Sequence, residues 1–203
     1  MRVQLIHFCA AALLVTPAVA AEDWTPVFDG KSLAGWKVEG NGDWKVQEGA
    51  IVGRQGENFS GGDMYTDRQW GDFELEAEYK LSYPGNSGIW FHHAPPQPGY
   101  HVDLIDEPHY ADAFAGSLYV VKKGFVAKNS DPKSFRRNDW NRVRIRSIGD
   151  DITIVVNGKT VVQHKDTTFP LPGSIGLQVH RGEAAKGMEV RFRAIRIREL
   201  GRK

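Results

Sequence analysis

Residues 73–81 read FELEAEYKL, and apolar and polar side chains alternate through the whole stretch. Residues 140–148 repeat this pattern, with Arg142, Arg144 and Arg146 alternating against mostly apolar neighbours. Because successive strand residues point to opposite faces, a period of two predicts half-buried antiparallel strands. The two stretches therefore indicate a sheet that covers a core with one face and meets solvent with the other.

A second local signal is the pair Asn157-Gly158, which separates two runs rich in β-branched residues, 152–156 and 159–162. A tight primed turn needs positive φ at both central residues, and Asn-Gly is the pair that adopts this conformation most readily. The sequence therefore predicts a β-hairpin at residues 152–162.

Further strand candidates share short length and flanking turn residues: 44–46, 50–54, 64–66, 89–93, 100–105, 117–121, 175–180 and 188–200. In the last of them, Val190 and Phe192 lie one residue out of step with Ile195 and Ile197, which predicts a bulge near Ala194. The chain has 22 glycines, many of them between the strand candidates, and no convincing amphipathic helix. Many short strands without helices predict an all-β fold, an antiparallel β-sandwich or jelly roll.

The first 20 residues have the pattern of an export signal. Arg2 precedes a mostly apolar run from residue 5 to residue 15, and Ala18-Val19-Ala20 matches a small-x-small cleavage site. The apolar run is shorter than the roughly 20 residues that a membrane-spanning helix needs. We therefore predict a signal peptide at 1–20, a single domain at 21–203, and a periplasmic or secreted protein without a membrane span.

Composition narrows the class of partner. Cys9 is the only cysteine and lies in the predicted signal, so a mature chain would rely on its core and not on disulfides. Removing Arg2 changes 26 basic residues to 25, which equals the 25 acidic residues and gives a net charge of 0. This balance argues against a nucleic-acid or membrane-surface partner.

Other polar groups receive a structural interpretation. The arginines of residues 142–146 and 191–198 are matched by outward glutamates at 74, 76 and 78, so cross-strand ion pairing on a solvated face explains them without a ligand. A single histidine in a β-rich chain is more often a satisfied polar residue than a ligand. We therefore predict ordinary structural roles for His93, His109 and His164.

A set of polar and aromatic side chains alternates with apolar neighbours along three predicted strands. In each strand two residues share a face: Trp90 with His92, His101 with Asp103, and Gln178 with His180. If the three faces belong to one sheet, three imidazoles and a carboxylate converge beneath an indole. An indole suits the apolar face of a sugar ring, and imidazole and carboxylate groups suit its hydroxyls.

Short motifs with characteristic spacing run along nearly the whole chain after residue 21: 28–36, 44–53, 66–67, 71–75, 85–89, 140–141, 156–158, 176–180 and 192–197. In this order they resemble the 3-keto-disaccharide hydrolase domain family. The resemblance implies a concanavalin A-like jelly roll of two curved antiparallel sheets that receives ligands on its concave face. It also implies activity on glycosides whose glucose ring a partner sugar C3-oxidoreductase has oxidised.

At three positions this chain differs from the usual pattern of the family it resembles. Where the family has arginine, glutamate and glutamine, the chain has His92, His101 and Asp103, which are good metal ligands. These three residues therefore form a candidate site for a divalent metal ion. We predict catalytic roles for His101, Asp103 and His180, and substrate contacts from Trp90, His92, Asn86 and Gln178.

The chemistry of a 3-keto sugar suits these residue types. The ketone acidifies the proton on C2, so a histidine can remove it, the enolate can expel the aglycone from C1, and water can then add. Concanavalin-like glucanases instead use a Glu-x-Asp-x-x-Glu strand, whereas this chain reads His101-x-Asp103-x-x-Asp106 and lacks the first carboxylate. We predict cleavage of a small-molecule 3-keto-glycoside by elimination and hydration. The alternatives are a non-catalytic carbohydrate-binding module and a cell-envelope interaction domain.

Overall fold

The computed structural model describes residues 23–108, 110, 112–169 and 172–201. The predicted signal peptide, the predicted domain start at residue 21 and His109 lie outside the described residues. Within them, none of the helices is long and apolar enough to cross a membrane.

The described residues form fifteen strands and two short 3-10 helices, at Glu57–Phe59 and Glu183–Ala185. The strands, in chain order, are β1 Thr25–Pro26, β2 Trp36–Gly40, β3 Asp43–Gln47, β4 Ala50–Arg54, β5 Gly62–Trp70, β6 Phe73–Leu81, β7 Gly85–His93, β8 Tyr100–Asp106, β9 Phe114–Val120, β10 Gly124–Asn129, β11 Asn141–Ile148, β12 Asp151–Val156, β13 Lys159–Lys165, β14 Gly173–Val179 and β15 Glu189–Glu199.

Two antiparallel sheets enclose the core. The eight-stranded sheet has the order β13-β12-β11-β6-β15-β4-β3, with β1 paired to β15, and the seven-stranded sheet has the order β10-β9-β8-β7-β14-β5-β2. Phe73 and Ile145 from the first sheet, and Ile89, Val102 and Leu177 from the second, are almost completely buried in one cluster. The prediction of an all-β antiparallel sandwich is confirmed.

Local sequence signals specify several of these elements. Strand β11 alternates buried and exposed residues over nearly its whole length, as predicted. The hairpin of β12 and β13 turns at Asn157 and Gly158, whose φ values are 49° and 84°, so the primed turn is confirmed. The bulge in β15 is confirmed as well, because Ala194 has φ 50° and the pairing with β6 shifts there. Strands β1, β2 and β10 were not among the sequence predictions.

The outer face of the eight-stranded sheet carries a ladder of ion pairs, which we call the ladder face. Its glutamates project from the central strand β6, and its arginines project from the flanking strands β11 and β15. Glu76, for example, lies 2.9 Å from Arg144 on one side and 2.6 Å from Arg196 on the other. Burial raises the pKa of Glu76, but these guanidinium groups outweigh burial and hold the pKa below its usual value. Cross-strand pairing on this face is confirmed.

A polar cleft on the seven-stranded sheet

Two rows of residues cross the face of the seven-stranded sheet that points away from the core. In strand order from β9 to β2, the first row is Ser117, Asp103, Gly88, Gln178, Asp63 and Glu39. The second row is Tyr119, His101, Trp90, Gly176, Tyr65 and Lys37. Directly opposed residues of paired strands share a face, so both rows line one surface, which we call the cleft face.

Two adjoining clefts open on this face. The small cleft has a volume of about 150 Å³ and is lined by Asn86, Trp90, His101, Asp103, Tyr110, Tyr119, Phe125, Gln178 and His180. The large cleft, of about 460 Å³, is lined by Glu39, Gly40, Gly61, Gly62, Asp63, Gln178, Val179, His180 and Arg181. Gln178 and His180 line both clefts, so the two volumes are neighbours. Six of the seven predicted site residues line the small cleft, while their catalytic and binding roles stay predictions.

His101 and Asp103 lie in close polar contact in the small cleft. Nδ1 of His101 lies 3.0 Å from Oδ1 of Asp103, and both side chains are largely buried. The ring also packs against Trp90, with ring centroids 4.1 Å apart. Gly88 makes this position available, because a Cβ there would lie only 2.0 Å from Nε2 of His101. The imidazole is therefore fixed by a carboxylate, an indole and a glycine on the neighbouring strand.

The contact with Asp103 favours one tautomer of the imidazole. A carboxylate accepts the proton of Nδ1–H, so in the neutral ring Nε2 carries the lone pair. Nε2 is buried and has no hydrogen-bond partner among the described residues. A buried ring nitrogen without a partner is uncommon in folded proteins. The pair thus has the form of a base oriented by an acid.

Other buried polar atoms near His101 also lack protein partners in the described part of the chain. They are Oδ1 of Asn86 and Oε1 of Gln178, both in residues that line the small cleft. Leaving such atoms unpaired costs free energy, which a ligand rich in hydroxyl groups would recover. The cleft therefore has the polar lining expected of a sugar site.

An aromatic wall closes the small cleft on the side of β9 and β10. Tyr119 and Tyr110 each meet Phe125 edge to face, with centroid distances of 5.6 and 5.9 Å. Burial, aided by the nearby charge of Asp103, raises the pKa of Tyr110. Sequence reasoning missed these three residues. Tyr119 alternates with buried Leu118 and Val120 and could have been found by parity, whereas Tyr110 lies outside any strand.

Asp63 on β5 is a carboxylate of the cleft face that sequence reasoning also missed. It lies across from Gln178 in register, and Oη of Tyr65 donates a hydrogen bond to its Oδ2 at 3.3 Å. Burial raises the pKa of Asp63, and the nearby His101, Trp90, Tyr65 and Gln178 offset only part of that effect. Asp63 and Tyr65 alternate with buried Met64, and this signal could have revealed the pair.

His92 does not join the cleft, so the prediction that it shares a face with Trp90 is wrong. Its Nε2 lies 2.8 Å from Oγ of Ser147 on the opposite sheet, and burial lowers its pKa to about 4. The cause is a left-handed backbone conformation at His92, with φ 53°, which turns the side chain into the core. His93 takes the outward position instead and stacks on Tyr65 at 3.8 Å.

The predicted metal ligands are not assembled into a site. His92 points into the core, and His101 and Asp103 bond to each other. In the described ranges, no group of three or more His, Cys, Asp or Glu side chains has an arrangement that could hold a metal ion. The three predicted residues therefore do not fit the divalent ion that the sequence suggested.

The fold defines a class, the jelly-roll-like antiparallel β-sandwich, here with a polar cleft on one sheet. The sequence pattern of the 3-keto-alpha-glucoside-1,2-lyase-like domain family matches residues 23–198. This match covers most of the chain, and the chain belongs to that family.

One similar protein shares sequence with the chain, and two solved structures share its fold. The chain is 34% identical over 82 residues to a 3-keto-disaccharide hydrolase of Bacteroides thetaiotaomicron, a match that covers 36% of this chain and 28% of that protein. Its fold is similar to the carbohydrate-binding module CBM66 of Bacillus subtilis, with a TM-score of 0.65 and 17% identity over 81% of this chain and 96% of that one. A Bacillus subtilis protein of unknown function with a galectin-like fold has a TM-score of 0.67 and 14% identity, covering 83% and 90%.

Proposed function

We propose that this domain cleaves 3-keto-glycosides by removing the C2 proton, expelling the aglycone from C1 and then adding water. The observation that carries the proposal is the His101–Asp103 pair, with 3.0 Å between Nδ1 and Oδ1, in a cleft beside Trp90. This arrangement combines an oriented base with a platform for a sugar ring. Family membership supports the same class of substrate.

Each step follows from the groups present. Asp103 holds Nδ1–H, so the lone pair of Nε2 takes the proton from C2 and the electrons move to the C3 oxygen as an enolate. When the ketone reforms, C1 and C2 become doubly bonded and the C1–O bond breaks with its electron pair on the aglycone oxygen. Water then adds to C1, its second proton neutralises the aglycone oxyanion, and the proton on Nε2 returns to C2. One water is consumed, and the aglycone and 3-ketoglucose are released.

The developing enolate needs hydrogen-bond donors. The side-chain amides of Asn86 and Gln178 line the same cleft and supply N–H groups at its edge. Nε2 of His101 is buried, and the ring packs against Trp90, so side chains around the imidazole must move for Nε2 to reach a sugar. Active-site contacts commonly tighten only when the substrate is bound.

A conventional retaining glycosidase mechanism fits these residues less well. Asp106 would have to serve as the second carboxylate of the His101-x-Asp103-x-x-Asp106 strand. Arg137 instead binds it with two hydrogen bonds of 2.7 Å, and its side chain is buried. With both carboxylate oxygens bonded to Arg137, Asp106 is occupied within the fold and not directed at a ligand.

A non-catalytic sugar-binding role is the second candidate. The aromatic wall of Tyr110, Tyr119 and Phe125 and the similarity to a carbohydrate-binding module favour it. Such a module would bind a glycoside in the small cleft and leave the C1–O bond intact. Binding with and without bond cleavage separates the two functions.

The test is to incubate the purified protein with 4-nitrophenyl 3-keto-glucoside and, separately, with the unoxidised glucoside. We expect nitrophenolate from the ketone alone, because only the ketone acidifies C2. Calorimetric binding without release from either compound would favour the binding module, and equal release from both would contradict elimination. Repeating the assay with a chelator tests the divalent metal, since a lost rate would restore a metal to the mechanism.

We also propose that the chain is exported and acts after a sugar C3-oxidoreductase, because its substrate must first be oxidised at C3. Arg2, the apolar run and Ala18-Val19-Ala20 support export. Amino-terminal sequencing of protein from the periplasm or medium should begin at or near Ala21. Full-length chain confined to the cytoplasm would contradict the export proposal.

A further inference from the structure

Asp63 stands on the opposite side of the cleft face from the His101–Asp103 pair. It lies in the same cross-strand row as Asp103, with Gly88 and Gln178 between them. The ring of His101 leans over Gly88, two strands away from Asp63. Adjacent strands are spaced by about 4.8 Å, so roughly 10 Å separates the backbone under the imidazole from the backbone of Asp63. Gln178 lies between these two ionisable groups.

The two groups also face different volumes. His101 lines the small cleft with Trp90, whereas Asp63 lines the large cleft with glycines and polar residues. Gln178 and His180 border both clefts. A glycoside whose ketone-bearing ring occupies the small cleft would therefore direct its aglycone over this border into the large cleft. The scissile oxygen would then lie on the Asp63 side.

The surroundings of Asp63 combine burial with side-chain contacts that fix the carboxyl group. Burial raises its pKa, and the contacts with Trp90, Tyr65 and Gln178 offset that rise only in part. Oη of Tyr65 lies 3.3 Å from Oδ2 of Asp63. Tyr65 is fixed in turn by stacking on His93 with an angle of 11° between the rings. The Asp63 side chain is thus held by Tyr65 of its own strand while it remains at the wall of the large cleft.

We propose that Asp63 is the general acid that protonates the departing aglycone oxygen and that the large cleft holds the aglycone; this inference rests on the proposed function. In the elimination step Nε2 of His101 gains the C2 proton, and Asp63 gives its proton to the oxygen as the C1–O bond breaks. In the hydration step the Asp63 carboxylate takes a proton from the water that adds to C1, and His101 returns its proton to C2. Both residues end in their starting states.

The polar lining of the large cleft defines the leaving group that it suits. Charged or hydrogen-bonding groups come from Glu39, Asp63, Arg181 and the border residue His180. The indole, phenol and phenyl rings line the small cleft. A hydroxyl-rich aglycone such as a second sugar would be bound there, whereas an aromatic aglycone would find no stacking partner in the lining. A sugar alkoxide is also a poor leaving group that requires protonation.

The experiment compares Asp63→Asn with the wild-type protein on a 3-keto disaccharide and on 4-nitrophenyl 3-keto-glucoside. Nitrophenolate leaves readily without a proton, but a sugar alkoxide does not. We expect kcat/KM for the disaccharide to fall by about 100-fold or more and kcat/KM for the nitrophenyl compound to fall by less than about 5-fold. Asp67→Asn is the matched control, because Asp67 lies exposed on the same strand and pairs with Lys37.

These outcomes distinguish a failure of the Asp63 assignment from a failure of the proposed function. Equal losses on both substrates, or no loss on the disaccharide, would overturn the role of Asp63 while leaving elimination in place. Failure of the wild-type protein to release either aglycone would instead overturn the proposed function. Thermal melting of each variant checks folding, and Asp63→Glu provides a second variant that keeps an acid and should retain more disaccharide activity than Asp63→Asn.

Discussion

The ladder face and the cleft face are both polar surfaces of the same sandwich, yet their polar groups are arranged differently. On the ladder face each glutamate of β6 has arginine partners, as Glu76 has Arg144 and Arg196. On the cleft face, buried atoms of Asn86, His101 and Gln178 have no partner among the described residues. The difference teaches that strand polarity alone does not identify a site. Polar groups that pair within the fold stabilise it, and those that are held in place but unpaired are available to a ligand.

Replacement of His101 or Asp103 by alanine should give the largest effect, and on turnover. Loss of the base or of its orienting carboxylate should lower the rate of aglycone release by about 1,000-fold, and the double variant should be little worse than the worse single variant. Val102→Asp, between them and completely buried, should instead damage stability, because it places an unpaired charge in the core. The measurements are aglycone release and thermal melting. Near wild-type rates in both single variants would contradict the assignment.

Gly88→Ala tests whether the imidazole needs the space above this glycine. A Cβ at Gly88 would lie 2.0 Å from Nε2 and 2.2 Å from Cε1 of His101, so the ring must move away from its present position. We expect activity on a 3-keto-glycoside to fall by about 100-fold, since small displacements of a catalytic group are costly. Gly71→Ala is the control, because its added Cβ would meet nothing within 4 Å. Equal activity of the two variants would show that the imidazole position does not matter.

The buried His92 should affect how the free energy of unfolding depends on pH. Burial lowers its pKa to about 4 from an ordinary value of 6.5, so the unfolded chain binds a proton between these pH values and the folded protein does not. The contribution to stability is therefore fully present above about pH 6.5 and declines by about 3 kcal/mol as the pH falls to about 4. Denaturant titrations from pH 7 to pH 4 should show this slope in the wild type and a flatter one in His92→Gln. Parallel slopes would mean that His92 titrates normally.

The smallest effects are expected on the ladder face. Arg144 and Arg193 are 44% and 43% exposed, and their partners Glu76 and Glu78 keep Arg196 and Arg142 as second partners, so the loss of one pair should cost about 1 kcal/mol or less. Arg144→Gln and Arg193→Gln should thus melt close to the wild type and keep their activity. A large loss of turnover in a well-folded variant would move the binding surface to this face.

The regular strands and the pairing of charges could be read from the sequence because they depend on local alternation. The bulge at Ala194 was predictable, because the apolar residues before and after it are one residue out of phase. No such signal marked the left-handed backbone at His92, because Trp90 and His92 keep a spacing of two in the sequence. The backbone at His92 lies close to Gly173 of β14. Such a contact between distant segments cannot be read from local alternation.

The site was predicted in part for the same reason. Parity along β7, β8 and β14 grouped Trp90, His101 and Gln178 correctly on one face. Alternation with Met64 places Asp63 on the outer face of β5, but the pairing of β5 with β14, which brings Asp63 to the cleft, exists only in the folded sheet. Tyr110 reaches the cleft from a connecting segment, where no periodic pattern applies.

The central claim is that C2 of the sugar loses its proton before the aglycone leaves, and a substrate labelled at C2 tests it most directly. We would compare aglycone release from 4-nitrophenyl 3-keto-glucoside carrying hydrogen or deuterium at C2, with an enzyme-free sample to correct for spontaneous exchange. The account predicts slower release from the deuterated compound and enzyme-dependent loss of the label to water. Equal rates with the deuterium retained in the product would contradict elimination and indicate direct displacement at C1.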